Sequence, residues 1–223
     1  MREPISEVHL IDCMEYMKDI PDKFFELAIV DPPYGINHSE IAGKQSGSKY
    51  GKAAAPKSNY TIKHWDKKPP LHDYFIQLFR ISINQIIWGG NYFVKSLIPS
   101  MGWIVWDKDN GTNGYSDAEL AYTNFNKGLR IFEYTWNGML QQNMKNKESR
   151  IHPTQKPVQL YKWLLKNYAK EGDKIFDSHM GSQSSRIACY DGGFDFYGCE
   201  IDPDYFEAGC KRFENYKMQL KLF

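Results

Sequence analysis

Short apolar runs alternate with amphipathic helical patterns along most of the chain, and this alternation limits the fold more than any other feature. Strands and helices that alternate at this spacing form a mostly parallel, doubly wound α/β sheet with helices on both faces. The runs at 118–123 and 129–136 are predicted to pair as an antiparallel hairpin at one edge of the sheet. Strands are predicted at residues 7–11, 27–30, 83–88, 102–107, 118–123, 129–136, 174–177 and 194–199, and helices at 14–18, 71–81, 92–97, 158–169, 184–190 and 205–216.

The length and composition fit a single globular domain. A chain of 223 residues, with 42% hydrophobic and 25% charged residues, can bury a full core. No apolar run approaches the roughly 20 residues that span a bilayer, so we expect a cytoplasmic protein with no membrane partner. The net charge of +1 excludes a globally basic nucleic-acid binder but not a local basic surface.

The four cysteines, Cys13, Cys189, Cys199 and Cys210, are far apart in the sequence and form no C-x-x-C pair. No histidine lies near any of them at the spacing of a metal site. We therefore interpret them as reduced and mostly buried, and predict no bound metal.

Two stretches lack a core pattern. Residues 38–68 are rich in Gly, Ser and Ala, and contain seven lysines, at positions 44, 49, 52, 57, 63, 67 and 68. This composition predicts a long, flexible, basic loop. The polar stretch 137–150 is the second, and it is the candidate for a small target-recognition segment.

The segment VDPPYG at residues 30–35 ends an apolar run. Proline has no N–H donor, so two consecutive prolines cannot continue a strand ladder and the strand must end at Asp31. Asp-Pro and Pro-Tyr-Gly are also ordinary turn residues, so this segment alone is consistent with a simple turn.

A second strand end has the residues of a ligand-binding turn. The segment KIFDSHMGSQSS (174–185) predicts a strand that ends at Asp177, then a turn of small residues and a helix. Gly181 lets the backbone approach a ligand closely. Glu200 ends the next strand, 23 residues after Asp177, which is the spacing of the ribose-binding carboxylate in nucleotide-binding α/β folds. Because G-x-G-x-x-G is absent, a dehydrogenase is disfavoured.

Together, three segments resemble the amino-methyltransferases of DNA, which use S-adenosylmethionine. VDPPYG is similar to their catalytic motif, IHPTQKPVQL (151–160) to the segment before the cofactor strand, and FDSHMGS (176–182) to the cofactor-binding turn. The catalytic motif comes first, an order similar to the permuted beta group. Residues 116–125 and 193–213 also resemble adenine methylases of phages and their bacterial hosts. The resemblance implies one methyltransferase domain over residues 1–223, with a Rossmann-like, circularly permuted sheet of seven strands.

The resemblance assigns catalysis to residues 31–34. The Asp31 carboxylate and the Pro32 carbonyl would accept the two N–H groups of an adenine N6 amine, Pro33 would fix their geometry, and Tyr34 would stack on the base. A base inside a duplex cannot reach such a site, so the target adenine would flip out. The implied reaction is site-specific methylation of adenine in DNA. Two alternatives stay open, namely N4-cytosine methylation and a catalytically inactive nucleic-acid-binding protein.

The resemblance also implies a cofactor site. Residues 154–156 would approach the methionine carboxylate, Asp177 and Gly181 the rest of the methionine, Glu200 the ribose and Asp12 the adenine amine. The full predicted set is Asp12, Cys13, Thr154, Gln155, Lys156, Asp177, His179, Gly181, Ser182, Gln183 and Glu200.

Several of these residues have structural alternatives. Asp12 would also serve as a helix cap, Thr154 as a helix N-cap, and Lys156 as a solvated side chain. His179 is expected either to contact the methionine part or to fill the site. A second D-P-x-Y, at residues 201–206, is predicted to open a helix, with Asp202 as the N-cap.

Gln183 departs from the family pattern. The family turn usually ends Gly-Ser-Gly, whereas this chain has Gly181, Ser182 and Gln183. If the third position needs a positive φ or a close approach to the cofactor, Gln183 is expected to be strained or to block the pocket. Weak cofactor binding or an inactive protein would follow.

Lysines on the basic loop are expected to contact phosphates, and polar side chains in 110–116 and 141–150 to read base edges. The predicted DNA-binding residues are Lys44, Lys49, Lys52, Lys57, Lys63, Asn113, Lys145 and Arg150. The partner would be double-stranded DNA. Since no substantial recognition domain fits in this length, we expect a short target site or a homodimer, and the resemblance suggests a cognate restriction endonuclease.

Overall fold

The computed structural model describes residues 2–37, 63, 65–111, 116–137 and 140–220. These residues form a central sheet with helices on both faces, which confirms the predicted α/β class. No helix in these ranges is long and apolar enough to cross a bilayer.

The central sheet has the strand order β1-β10-β9-β2-β3-β5-β4-β6. It contains eight strands in place of the seven implied by the family resemblance, because β6 adds an outer strand. The strands are β1 (Ser6–Leu10), β2 (Phe25–Val30), β3 (Ser82–Trp88), β4 (Trp103–Asp107), β5 (Ala118–Thr123), β6 (Arg130–Glu133), β9 (Lys174–Asp177) and β10 (Asp195–Glu200), with β7 (Trp136–Asn137) and β8 (Leu140–Gln141) forming a separate pair.

The predicted antiparallel hairpin is present, but it joins β4 and β5, so the predicted pairing of residues 118–123 with 129–136 is wrong. Strand β5 lies between β3 and β4 and is antiparallel to both, whereas β6 pairs in parallel with β4. The reason is burial. Ala121, Tyr122 and Thr123 are almost fully buried, as in an interior strand, but Ile131 of β6 is 57% exposed, as at an edge.

The helices cover two separate cores, one on each face of the sheet. They are α1 (Cys13–Lys18), α2 (His72–Ile81), α3 (Val158–Tyr168), α4 (Ser184–Gly192) and α5 (Pro203–Leu220). Helices α1 and α2 cover one face, and α3, α4 and α5 the other. The predicted helix at 92–97 is wrong, since only Gly90–Tyr92 form a 3-10 turn. Gly89 in the left-handed region and Pro99 leave too few residues for a stable helix.

The two motif-bearing strands are neighbours in the sheet. Strand β2 pairs in parallel with β9, with Leu27 opposite Ile175 and Ala28 opposite Phe176. The winding direction reverses between them, since the chain moves from β2 to β3 on one side and from β9 to β10 on the other. Ligands of open α/β sheets bind outside the carboxyl ends of strands at such a switch point.

Candidate active site

Asp31 directly follows β2, at the carboxyl edge of the sheet. The Tyr34 hydroxyl donates a hydrogen bond to its Oδ1 at 2.6 Å, and the Lys156 ammonium lies 2.5 Å from its Oδ2. The Asp31 side chain keeps 17% of its surface exposed. Each carboxylate oxygen has two lone pairs, so Asp31 has capacity for a further donor from outside.

Asp31 belongs to a largely buried network of four charged side chains. Lys156 lies 3.2 Å from Glu119 of β5, and Lys108 lies 2.6 Å from the other oxygen of Glu119. Burial alone would raise the pKa of Glu119, but Lys156 and Lys108 together lower that pKa to about 2. Burial raises the pKa of Asp31, and Lys156 opposes the rise.

Sequence reasoning missed Glu119 and Lys108 as site residues. Glu119 lies within 116–125, a segment that resembles adenine methylases, so a signal was present. The pairing could not be deduced because it depends on β5 lying inside the sheet, and the sequence pattern placed that strand at an edge.

Tyr34 is held between two other residues. Its ring lies so close to Gly89 that a β-carbon added there would be 2.2 Å from Cε1, and it stacks on Tyr92 with the ring centroids 4.9 Å apart. Gly89 also has a positive φ of 69°, which glycine adopts without strain. Stacking of Tyr34 on a target base stays a prediction, and the exposed Tyr92 ring would have to move or share that surface.

The two prolines give the turn after β2 its shape. Pro32 is buried, and no group in the part of the chain that the structure describes donates to its carbonyl oxygen. This oxygen is therefore available as the second acceptor that catalysis by residues 31–34 would need.

Asp177 ends β9 beside Asp31 but faces the protein interior. Its carboxylate accepts a hydrogen bond from the Ser185 hydroxyl at 2.5 Å and one from the His179 amide at 3.1 Å. Burial raises its pKa to about 7. These contacts give Asp177 a structural role, namely to tie the turn to the start of α4; contact with a cofactor stays a prediction.

Glu200 connects the turn to the neighbouring strand β10. Its carboxylate accepts the Gly181 amide at 2.8 Å and the Asp202 amide at 2.9 Å. These are backbone donors of two loops, so Glu200 orders the edge where the sequence predicts ribose binding. Gly181 has a φ of 47°, and the His152 ring lies against it.

Gln183 has the predicted backbone conformation but does not block the turn. Its φ of 58° is in the left-handed region, where the family has glycine. The side chain is fully buried and turns away from the strand ends, towards α5, where it packs on Gly209. Its oxygen accepts a hydrogen bond from Arg186 at 2.9 Å, and its amide donates to the Phe206 carbonyl at 3.3 Å.

His179 is a neutral imidazole in this site. Burial lowers its pKa to about 4. Its Nδ1 is 2.8 Å from the Ser178 hydroxyl, which is in turn 2.6 Å from the Tyr74 hydroxyl. A neutral ring next to the turn adds no positive charge that would repel a cationic ligand.

Asp12 caps α1, since its Oδ1 accepts the Met14 amide at 2.7 Å. This confirms the structural alternative, and its second oxygen is exposed at the carboxyl end of β1, next to β10. Cys13 follows it as a half-buried free thiol. Their contact with an adenine stays a prediction.

In segment 152–156, Thr154 and Lys156 do not have the alternative structural roles that the sequence allows them. Thr154 is not a helix N-cap, because α3 begins four residues later, and its hydroxyl is 3.1 Å from His152 Nδ1. Gln155 is buried and bonds to Ile151 and Ser149, so its side chain shapes this loop. Lys156 is not solvated, since only 3% of its side chain is exposed, and it contacts Asp31.

The described end of the basic loop, residues 63 and 65–68, lies at the same carboxyl edge of the sheet. Lys63 pairs with Asp202 and Asp204, although it was predicted to contact DNA. The Trp65 ring lies 5.2 Å from the His152 ring, and no acceptor among the described residues reaches its buried indole N–H. Asp202 accepts the Asp204 and Tyr205 amides, which confirms it as the N-cap of α5.

The predicted DNA-contacting residues are only partly described. Lys44, Lys49, Lys52, Lys57 and Asn113 lie outside the described residues. Lys145 is exposed, and the Arg150 guanidinium lies over the Trp136 ring at 4.5 Å.

Segment 140–150 is attached to the turn after β9. Glu148 pairs with Arg212 at 2.7 Å, and Arg212 donates to the Ser182 carbonyl at the same distance. Glu148 also accepts the Val158 amide at the start of α3.

Known proteins are similar to this chain in sequence. A DNA methylase family matches residues 105–211. The chain is similar to this family over that range. The Type II methyltransferase M1.MboII of Moraxella bovis is 19% identical to the chain, and the alignment covers 90% of this chain and 94% of the relative. M2.DpnII of Streptococcus pneumoniae is 22% identical, and that alignment covers 91% of this chain and 87% of the relative.

Solved structures share the fold of this chain. The M1.HpyAVI–SAM complex superimposes with a TM-score of 0.56 at 18% identity. The match covers 92% of this chain and 98% of the M1.HpyAVI chain. TTHA0409 of Thermus thermophilus, solved with S-adenosyl-L-methionine, superimposes with a TM-score of 0.58 at 15% identity. The match covers 95% of this chain and 96% of the TTHA0409 chain.

Proposed function

We propose that this protein is a DNA methylase that transfers a methyl group from S-adenosylmethionine to the N6 amine of adenine in double-stranded DNA. The observation that carries the proposal is the pairing of β2 with β9, which brings Asp31 and the glycine turn to one switch point. The resemblance of VDPPYG to the catalytic motif, and relatives named as Type II methyltransferases, support it.

The described residues fit S-adenosylmethionine. Carboxylates end the adjacent strands β1 and β10, where Asp12 would accept from the adenine amine and Glu200 from the ribose hydroxyls. Trp65 supplies a buried indole N–H that no acceptor in the described part of the chain reaches, one ring away from Gly181. Helix α4 begins at the turn without a side-chain cap, so its first amides can face an anionic group. When bound, the cofactor supplies a methyl group that its sulfonium activates.

Asp31 and Pro32 would prepare the amine. The lone pair of the adenine amine is delocalised into the ring, which makes it a poor nucleophile. The Asp31 carboxylate would accept one N–H and the Pro32 carbonyl the other, which localises the lone pair and fixes its direction. A flipped-out base would reach these acceptors, at a cost of a few kcal/mol for unstacking.

N4-cytosine methylation is the second candidate. The PvuII DNA methyltransferase, which is cytosine-N4-specific, shares the fold with a TM-score of 0.59 at 12% identity. The sequence DPPY favours adenine, since SPPY is commoner with cytosine. A homodimer, a partner endonuclease and a cytoplasmic location in a bacterial or phage-infected cell stay proposals.

The proposal is tested by incubating the purified protein with S-adenosylmethionine, labelled at the methyl group, and unmethylated DNA. We expect label in DNA, and N6-methyladenine on digestion. Label in N4-methylcytosine would support the second candidate. No incorporation into genomic DNA from several sources would leave the inactive DNA-binding protein as the surviving alternative.

A further inference from the structure

We propose that Lys156 is a positioning residue that holds Asp31 ionised and correctly aimed, and that it does not bind the methionine carboxylate. The inference rests on the proposed function, because it concerns the acceptor of the adenine amine. It reassigns a residue that the family resemblance placed at the cofactor.

The ammonium group of Lys156 is already engaged by its neighbours. It has three N–H donors, and it donates to Asp31 Oδ2 at 2.5 Å and to the Tyr34 hydroxyl at 3.3 Å. Its nitrogen also forms an ion pair with Glu119 Oε2 at 3.2 Å. With 3% of the side chain exposed, these neighbours shield the ammonium group from a cofactor carboxylate.

Lys156 and Lys108 share two carboxylates. Lys108 holds one oxygen of Glu119, and Lys156 bridges the other oxygen to Asp31. The four charges cancel, which is how a partly buried carboxylate keeps its charge. Without Lys156, two carboxylates would face each other in a nearly dry site, and one of them would take up a proton.

Other groups near Asp31 do not replace the lysine. Tyr34 donates one hydrogen bond to Asp31 but has no charge. Glu119 of β5 adds negative charge, which raises the pKa of Asp31 further, and Asp31 in turn raises the pKa of Asp177 of β9. Tyr161 of α3 and Tyr74 of α2 have raised pKa values through burial and stay neutral. Lys156 is thus the one cation among the described groups that contacts Asp31.

Ionisation of Asp31 matters for its proposed task. A carboxylate only accepts hydrogen bonds, whereas a protonated carboxyl presents a hydroxyl donor. A protonated Asp31 would offer a hydrogen where the adenine amine also offers one. Lys156 therefore determines whether Asp31 can align the amine.

The experiment compares Lys156→Met, Glu119→Gln and the double variant Lys156→Met/Glu119→Gln with wild type. Lys162→Met is the matched control, because Lys162 also pairs with an aspartate, Asp191, but on the surface. Carboxyl carbons of aspartate are labelled and titrated by NMR, and the Asp31 signal is assigned by its loss in Asp31→Asn. Calorimetry gives the affinity for S-adenosylmethionine, and single-turnover methylation gives the pH–rate profile.

In Lys156→Met we expect the Asp31 midpoint and the acid limb of the rate profile to rise by roughly one pH unit or more. In Glu119→Gln both should move to lower pH, because a like charge is removed. Affinity for S-adenosylmethionine should stay within about threefold in Lys156→Met, since a lost charged hydrogen bond would cost about tenfold or more. Lys162→Met should match wild type.

An unchanged Asp31 midpoint, together with about tenfold weaker cofactor binding in Lys156→Met, would overturn the inference and restore the cofactor role. If Lys156→Met does not fold, the double variant and Glu119→Gln test the inference, because the Glu119 carboxylate is neutralised in both. An inactive wild type would refute the proposed function alone, since the NMR titration still measures the effect of Lys156 on Asp31.

Discussion

At the scale of single residues, Gln183 shows how a family departure is accommodated. A glutamine in the left-handed region costs about 1–2 kcal/mol relative to a favourable backbone conformation. Its side chain offsets that cost through hydrogen bonds from Arg186 and to Phe206, and by packing on Gly209. The turn therefore has at Gln183 a backbone conformation that glycine would adopt without strain.

Gly209 and Gln183 are predicted to be strongly coupled. A β-carbon at Gly209 would lie 2.6 Å from the Gln183 amide nitrogen, and the buried glutamine cannot swing out. Gly209→Ala should destabilise the wild type by about 1–3 kcal/mol through overpacking. In a Gln183→Gly background the same change should stabilise by up to about 1 kcal/mol, because alanine is the better helix former.

Urea denaturation of the four proteins in this double-mutant cycle measures the coupling. Gly128→Ala is the control for the added carbon alone, since Gly128, like Gly209, has no positive φ but has no atom within 4 Å of the added carbon. Equal effects of Gly209→Ala in both backgrounds would contradict the packing described for Gln183.

At the scale of elements, most strands and helices could be predicted because their apolar patterns are local. The strands that end at Asp177 and Glu200 fall where the pattern puts them. The neighbours of β5 could not be predicted, since β4, β5 and β6 have similar short patterns and only the folded sheet decides which is interior. Asp31 and the glycine turn were recognisable as site residues, but the contact of Lys156 with Asp31 joins residues 125 positions apart.

Segment 140–150 is predicted to be fixed by Glu148. Glu148→Ala removes the ion pair with Arg212 and the cap on the Val158 amide. We expect a loss of about 2 kcal/mol in the free energy of unfolding, less than the 3–5 kcal/mol of a fully buried pair because both side chains are partly exposed. Urea denaturation measures it.

Glu3→Ala is the control for this prediction. Glu3 also pairs with a cation, Lys217, but 69% of its side chain is exposed, so its removal should change stability little. A Glu148→Ala variant as stable as Glu3→Ala would show that Glu148 does not anchor the segment.

At the scale of the whole molecule, strand order explains how distant motifs meet. The VDPPYG segment lies near the start of the chain and the turn that contains Gly181 near its end, yet β2 and β9 are adjacent. The opposite winding on each side of this pair leaves their carboxyl ends open. Chain order can therefore change without moving the site.

The central claim is that Asp31 aligns the amine at this shared edge. Asp31→Ala removes one acceptor, while Lys156 keeps Glu119 as a partner, so the fold should persist. The control is Asp22→Ala, an exposed aspartate outside the site. The decisive measurement is single-turnover methylation of DNA, with cofactor affinity measured on the same samples. We expect Asp31→Ala to lose at least about 10²-fold in rate with cofactor affinity within a few-fold of wild type; near-normal turnover in Asp31→Ala would contradict the account.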